Sequence, residues 1–122
     1  MAQKKLLLAG LLTSGLITMS TLSIAQDGVS CGESPAAPEL VDGSTASMEE
    51  LVANSRAVNA FIEQADTYLD CQKAAVENTT NGLSRDERAI RTAQYESLVP
   101  VRNEIGDLFN AEVQEYRAAN PE

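Results

Sequence analysis

The chain has 122 residues, with 9 basic and 18 acidic side chains, no His, no Trp and two Cys. This composition excludes imidazole catalysis and His metal ligands, and two Cys are too few for a zinc or iron–sulfur centre built from thiolates alone. A net charge of −9 disfavours nucleic acid and anionic membrane surfaces as partners. We therefore expect neither a cofactor nor a nucleic-acid partner.

Residues 1–25 have the pattern of a secretory signal peptide. Lys4 and Lys5 precede an apolar run, and cleavage is expected after Ala25. The run contains Gly, Ser and Thr, which disfavours a lasting anchor, so we expect no membrane span after cleavage. The predicted location is the periplasm, with secretion as an alternative. The stretch before Cys31 resembles a lipid-attachment box only in part. Lipidation of Cys31 is therefore the less favoured alternative to cleavage after Ala25.

Residues 26–46, named the strap here, are rich in Gly, Pro, Ser and Asp and show no helical period. They predict an extended segment. Cys31 in the strap and Cys71 beyond it are the only cysteines, and both lie in the exported part. An even count of Cys in an oxidising compartment predicts a disulfide between them.

A first helix is predicted over about residues 47–78, because Ser47 and Glu50 have the spacing of a capping box. Its apolar face repeats at steps of three and four residues. That face comprises Met48, Leu51, Ser55, Val58, Ile62, Ala65, Leu69, Gln72 and Val76, with Phe61 and Tyr68 along one edge.

Two further stripes follow the same helix. A small-residue stripe lies on the side away from the apolar face and consists of Ala53, Ala57, Ala60, Gln64, Thr67, Cys71 and Ala74. Because Cys71 belongs to it, we expect the strap to run antiparallel along this back face. The second stripe, named the acidic edge, consists of Glu49, Glu63, Asp66, Asp70 and Glu77. It predicts either a solvated surface or an interaction edge for a cation or a basic partner.

A second helix is predicted over about residues 84–120, opened by a capping box at Ser84 and Glu87. Pro100 interrupts its apolar pattern, so this region is either one kinked helix, which we favour, or two helices. The apolar positions are Ile90, Ala93, Leu98, Val101, Ile105, Leu108, Phe109, Val113 and Tyr116.

The arginines at the start of the second helix are expected to pair with the acidic edge in a hairpin. Arg85, Arg88 and Arg91 would then lie near Glu77 and Asp70. The predicted fold is all-α: an antiparallel helical hairpin over residues 47–120, with the strap tied by the disulfide to the back of the first helix.

Several segments combine a Cys, a Pro-Asp-Gly strap and paired helices: Cys31, the stretch from Pro38 to Ala46, Met48 to Leu51, Val58 to Ile62, Tyr68 to Cys71 and Phe109 to Tyr116. This arrangement resembles a functionally uncharacterised family of small exported proteobacterial proteins. The resemblance implies a periplasmic address and no activity.

A hairpin of this size leaves little room for a closed catalytic pocket, so we expect a non-enzymatic protein. Its apolar face is longer than one hairpin can cover, which predicts a binding or accessory role in the cell envelope. The expected partner is a second copy or another envelope protein. The alternative is a periplasmic chaperone-like or stress protein that shields clients on an apolar helical face.

Overall fold

The computed structural model describes residues 30–122, which form two helices and no strand. Helix α1 spans Met48–Glu77 and helix α2 spans Arg85–Ala119. Both helices agree with the predicted bounds to within one residue at each end. The all-helical fold is therefore confirmed for this part of the chain. The predicted signal peptide and the first four residues of the strap lie outside the described residues.

Both helices begin at the predicted capping boxes. The backbone N–H of Glu50 donates to Ser47 Oγ at 3.1 Å, and the N–H of Ser47 donates to Glu50 Oε2 at 2.7 Å. Ser84 and Glu87 repeat this exchange at 3.2 and 2.6 Å. These hydrogen bonds, led by the one from the capping backbone N–H, lower the pKa of both Glu side chains. Local sequence thus fixes where each helix starts.

Pro100 lies inside one continuous helix of 35 residues, so the favoured single helix is confirmed and the two-helix alternative is not seen. Proline cannot donate a backbone hydrogen bond, which leaves the carbonyl of Glu96 without its usual donor. Both Glu96 and Pro100 are exposed, so water can reach this carbonyl. The break in hydrogen bonding therefore falls on the solvent side of α2.

The helices pack antiparallel. Arg102 of α2 contacts Asp66 in the middle of α1, whereas Arg88 of α2 contacts the carbonyl of Val76 near the end of α1. The shared core joins the middle of both helices. Its buried members are Val58, Phe61, Ala65, Tyr68, Leu69, Leu98 and Ile105. Neither helix has an apolar stretch long enough to cross a membrane.

The apolar face predicted for α1 is rotated slightly about the helix axis from the face that is buried in the structure. Met48 is 56% exposed, and Ser55, Ile62 and Val76 are only half-buried. Phe61, placed at an edge by the sequence pattern, is 3% exposed. The full buried set of α1 is Leu51, Asn54, Val58, Phe61, Ala65, Tyr68, Leu69, Gln72 and Ala75. The shift arises because α1 is covered on two sides, by α2 and by the strap.

The strap runs antiparallel to α1, as expected, and the disulfide is present. Cys31 bonds to Cys71 with a Cα–Cα distance of 5.6 Å. Farther along, the buried Asn54 side chain donates to the carbonyl of Glu39 at 2.8 Å and accepts from the N–H of Val41 at 3.1 Å. The order of these contacts along α1 sets the direction of the strap.

The strap does not cover the back of α1 as predicted. Gly43 is buried and donates its N–H to Glu112 of α2 at 2.7 Å, and Leu40 packs against the shared core. The small-residue stripe stays open, because its members other than the half-buried Cys71 are exposed: Ala53, Ala57, Ala60, Gln64, Thr67 and Ala74. The strap therefore sits beside the core and reaches both helices, with Leu40 packed against buried apolar side chains instead of against the alanine stripe.

Candidate functional site

A cleft of about 240 Å³ lies beside the disulfide, between the two helices and the start of the described strap. Tyr68 and Gln72 line it from α1, and both are buried. Glu87, Arg91 and Gln94 line it from α2. The strap forms the remaining wall of the cleft, because the disulfide holds Cys31 against Cys71 of α1.

The cleft is built around the side chain of Gln72, which is 3% exposed. Gln72 Nε2 donates to Tyr68 Oη at 2.7 Å and to Gln94 Oε1 at 2.9 Å. Gln72 Oε1 accepts from Arg91 Nη1 at 2.8 Å, and the same nitrogen lies 3.5 Å from Cys31 Sγ. A saturated network of this kind fixes the register between helices and is costly to break. The sequence pattern placed Gln72 on an apolar face and gave no sign of this network.

The acidic edge does not gather into one cluster. Glu49, Glu63, Asp70 and Glu77 are exposed along α1. Members seven residues apart lie about 10 Å apart along a helix axis, too far to share a ligand. The use of this edge by a cation or a basic partner stays a prediction.

Asp66, the remaining member of the acidic edge, forms an ion pair between the helices. Arg102 Nε and Nη2 donate to its two carboxylate oxygens at 2.6 and 2.9 Å. These hydrogen bonds lower the pKa of Asp66 and raise the pKa of Arg102. The pair is partly exposed, so its contribution to stability is small and falls with added salt.

Two of the three arginines at the start of α2, Arg88 and Arg91, have different partners from those predicted. Arg88 donates to the carbonyls of Ala75 and Val76 at 3.3 and 2.7 Å and to Asn81 Oδ1 at 2.9 Å. Helix α1 has no basic residue in its last turn, and its terminal carbonyls carry partial negative charge. Arg88 therefore caps the end of α1 instead of pairing with its carboxylates, and Arg91 donates to Gln72.

One carboxylate cluster escaped the sequence pattern because its members are distant in the chain. Oxygens of Asp42, Glu112 and Glu115 all lie within 4.8 Å of one another. Hard cations such as Ca²⁺ prefer ligands of this type. Glu112 already accepts the N–H of Gly43, and Asp42 accepts the N–H of Ser44. The cluster alone does not identify a metal site.

Three large apolar side chains predicted to lie in the core of α2 are instead exposed. Ile90 is 59%, Val101 41% and Leu108 54% exposed. They belong to a row at steps of four and three residues, named the α2 face here, which consists of Ile90, Gln94, Ser97, Val101, Glu104 and Leu108. The pattern failed here because α2 meets the core through a neighbouring face, on which Leu98 and Ile105 are buried and Tyr95, Val99 and Phe109 pack against the core.

Comparison with known proteins gives no match. No protein-family model, no curated protein and no solved structure is similar to this chain. The resemblance to small exported proteobacterial proteins stays a prediction from the sequence pattern. The fold and its exposed surfaces are therefore the basis for a functional proposal.

Proposed function

We propose that the protein is a small, exported, non-enzymatic binding module of the cell envelope that uses the α2 face. The observation that carries the proposal is the exposure of Ile90, Val101 and Leu108 in one row on a rigid helix. The three apolar side chains are interspersed along this row with the exposed polar residues Gln94, Ser97 and Glu104, and such a mixed row on an otherwise highly charged protein offers both apolar contact and polar selectivity to a partner. Strong net charge keeps such a protein in solution until its partner is met.

A non-enzymatic role is supported by the causes of the pKa shifts. The lowered pKa values of Glu50 and Glu87 come from capping hydrogen bonds, and that of Asp66 comes from its pairing with Arg102. Each shift belongs to a contact that holds the fold together. Catalytic acids and bases are instead tuned by burial or by like charges in a pocket.

Export is supported by the signal-peptide pattern of residues 1–25 and by the disulfide, which persists in oxidising compartments. The periplasm is the proposed location. The intact mass of the protein recovered from the envelope tests this address. Cleavage after Ala25 predicts the mass of residues 26–122 with one disulfide, whereas a lipid attached to the sulfur of Cys31 would give a heavier species in which Cys71 has lost its disulfide partner.

The test of the binding role is site-specific photo-crosslinking in the native envelope. A photoreactive residue replaces Leu108 on the α2 face, and the matched control places it at Ala60, which is exposed on the back of α1. A discrete crosslinked species from position 108 that is absent at position 60 supports the proposal. Equal, unspecific labelling at both positions would contradict it.

The exposed apolar row also keeps the chaperone-like alternative open to test. A client-shielding face stays accessible in the native state, binds apolar dyes and suppresses aggregation of unfolded clients. Leu108→Asp should abolish both effects, whereas Val52→Asp, at an exposed apolar position of α1, should not. A native protein that binds no dye and protects no client would exclude this role.

A further inference from the structure

We infer that the partner of the α2 face is a second copy of this chain, packed antiparallel with a two-fold axis near residue 99. The inference rests on the proposed binding role and names the occupant of the same face. The six positions of the α2 face step by four, three, four, three and four residues, so the row reads the same in both directions about its centre. A two-fold interface requires this kind of self-complementary surface.

The antiparallel register matches the side chains in six layers. Each outer layer joins Ile90 to Leu108 of the partner subunit, and each central layer joins Val101 to Ser97 of the partner subunit. Between them, Gln94 meets Glu104 of the partner subunit. Steps of four and three residues are the spacing with which two helices pack side chains into each other's gaps. Large apolar groups thus meet at both ends of the row, where they are exposed in the single chain.

The layers that pair Gln94 with Glu104 of the partner subunit have a hydrogen-bond donor already in position. Gln94 is exposed, and its Oε1 already accepts from Gln72 Nε2, which fixes the orientation of the amide. Its amide nitrogen has no partner within residues 30–122 and can donate. A carboxylate such as that of Glu104 accepts such a donor in a charge-assisted hydrogen bond. The buried network around Gln72 therefore presents a donor where the second copy supplies an acceptor.

Charge favours the antiparallel arrangement over a parallel one. The first two turns of α2 carry Arg85, Arg88 and Arg91 against two carboxylates, Asp86 and Glu87, and Arg88 and Arg91 keep their charge while bonded to neutral groups of α1. The stretch 104–115 carries four carboxylates and no basic residue. Antiparallel pairing sets the basic end of one helix against the acidic end of the other. Parallel pairing sets the acidic ends together, which is unfavourable.

The two neighbouring antiparallel registers are weaker. A shift by one heptad in one direction places Glu87 opposite Glu104 of the partner subunit, two like charges in contact. A shift in the other direction places Val101 opposite Glu104 of the partner subunit and buries a carboxylate against an apolar group. One polar residue in such a row selects register and orientation in this way.

The test is the oligomeric state of the purified exported protein, measured by sedimentation velocity over a wide concentration range. We expect a reversible monomer–dimer equilibrium. Leu108→Asp should weaken it roughly 100-fold or more, because the substitution removes an apolar contact in two layers of each dimer. Val52→Asp, at a similarly exposed apolar position on α1, should leave the equilibrium unchanged. Circular dichroism should show both variants folded, since both positions are exposed.

A gain of association tests the register itself. Ser97→Leu should tighten the dimer about tenfold, since each new side chain meets Val101 of the partner subunit, whereas Glu96→Leu, one residue away on the exposed side, should not. A wild-type protein that stays monomeric up to about 1 mM would overturn the inference. So would a dimer that ignores both Leu108→Asp and Ser97→Leu. A monomer that still gives a discrete crosslink to another envelope protein from position 108 would overturn the inference and leave the binding role standing.

Discussion

Replacing Gly43 by alanine should loosen the strap from α2, although alanine is a conservative change. A Cβ atom at this position would overlap the carbonyl oxygen of Glu112 and lie 2.7 Å from its carbonyl carbon. Ordinary contacts of a Cβ atom begin at 3.4 Å, and both atoms belong to the backbone of a continuous helix. The strap must therefore move, because a helix interior cannot yield at one carbonyl.

The cost of this movement follows from the hydrogen bond at the same place. The N–H of Gly43 donates to the carboxylate of Glu112 at 2.7 Å, and a bond to a charged acceptor contributes about 1.5–3 kcal/mol. Alanine recovers about 0.4–1 kcal/mol, because it restricts the unfolded chain more than glycine does. Gly43 does not have a positive φ, so backbone strain adds nothing. The free energy of unfolding should fall by about 0.5–2.6 kcal/mol.

Gly106→Ala is the matched control. Gly106 lies in α2, and a Cβ atom there would have no neighbour within 4 Å. Alanine in a helix interior is favoured over glycine by about 0.5–1 kcal/mol, so this variant should be more stable than the wild type. The same substitution in one chain thus carries opposite signs at two positions.

Urea unfolding followed by circular dichroism measures both effects, with the oxidised protein in each case. The two variants should straddle the wild-type free energy of unfolding. A Gly43→Ala protein as stable as Gly106→Ala would refute the close packing of the strap on α2. A Glu112→Gln variant separates the causes, because it keeps the space for Gly43 and removes only the charge of the acceptor.

Three further outcomes are expected. Reduction of the bond between Cys31 and Cys71 should lower the free energy of unfolding by about 2–4 kcal/mol, measured by urea unfolding with and without reductant; an unchanged curve would remove the stapling role. Phe61→Ala should cost about 3–5 kcal/mol and Ile62→Ala only about 1–2 kcal/mol, since Phe61 is buried and Ile62 is half-buried; the reverse order in chemical unfolding would restore the apolar face predicted from sequence. The pKa of Asp66 is lowered in the folded state, so its contribution is present above its unfolded pKa and is lost as the pH falls through the folded value. The difference in melting temperature between wild type and Asp66→Asn should therefore shrink below about pH 4 and in high salt, and a difference independent of pH would contradict the ion pair.

The helix bounds could be predicted from sequence because they depend on local chemistry. Ser47 and Ser84 bond to Glu residues three positions away, and this spacing is visible in the chain. The disulfide was equally accessible, since two cysteines allow a single intramolecular pairing. These features need no knowledge of what packs against what.

The features that sequence missed depend on contacts between distant elements. Nothing local in Asn54 shows that its amide will bond to the strap, or that Arg88 will meet the carbonyls at the end of α1. Leu108 has the hydropathy of a core residue but is 54% exposed, because its neighbours Ile105 and Phe109 take the positions that face the core. A periodic sequence pattern predicts the apolar face of a helix, and the elements that pack against the helix determine which part of that face is buried.

The reach of the strap favours an order of folding events once the chain has entered an oxidising compartment. Cys31 and Cys71 both precede α2, so the disulfide can join the strap to α1 before α2 has packed against them. The hydrogen bond from Gly43 to Glu112 spans 69 residues and forms only when α2 is in place. Contacts of long sequence separation are slow to close because they carry the larger loop entropy. The strap and α1 should thus be linked by the disulfide before α2 packs, which leaves fewer conformations to be explored when α2 docks.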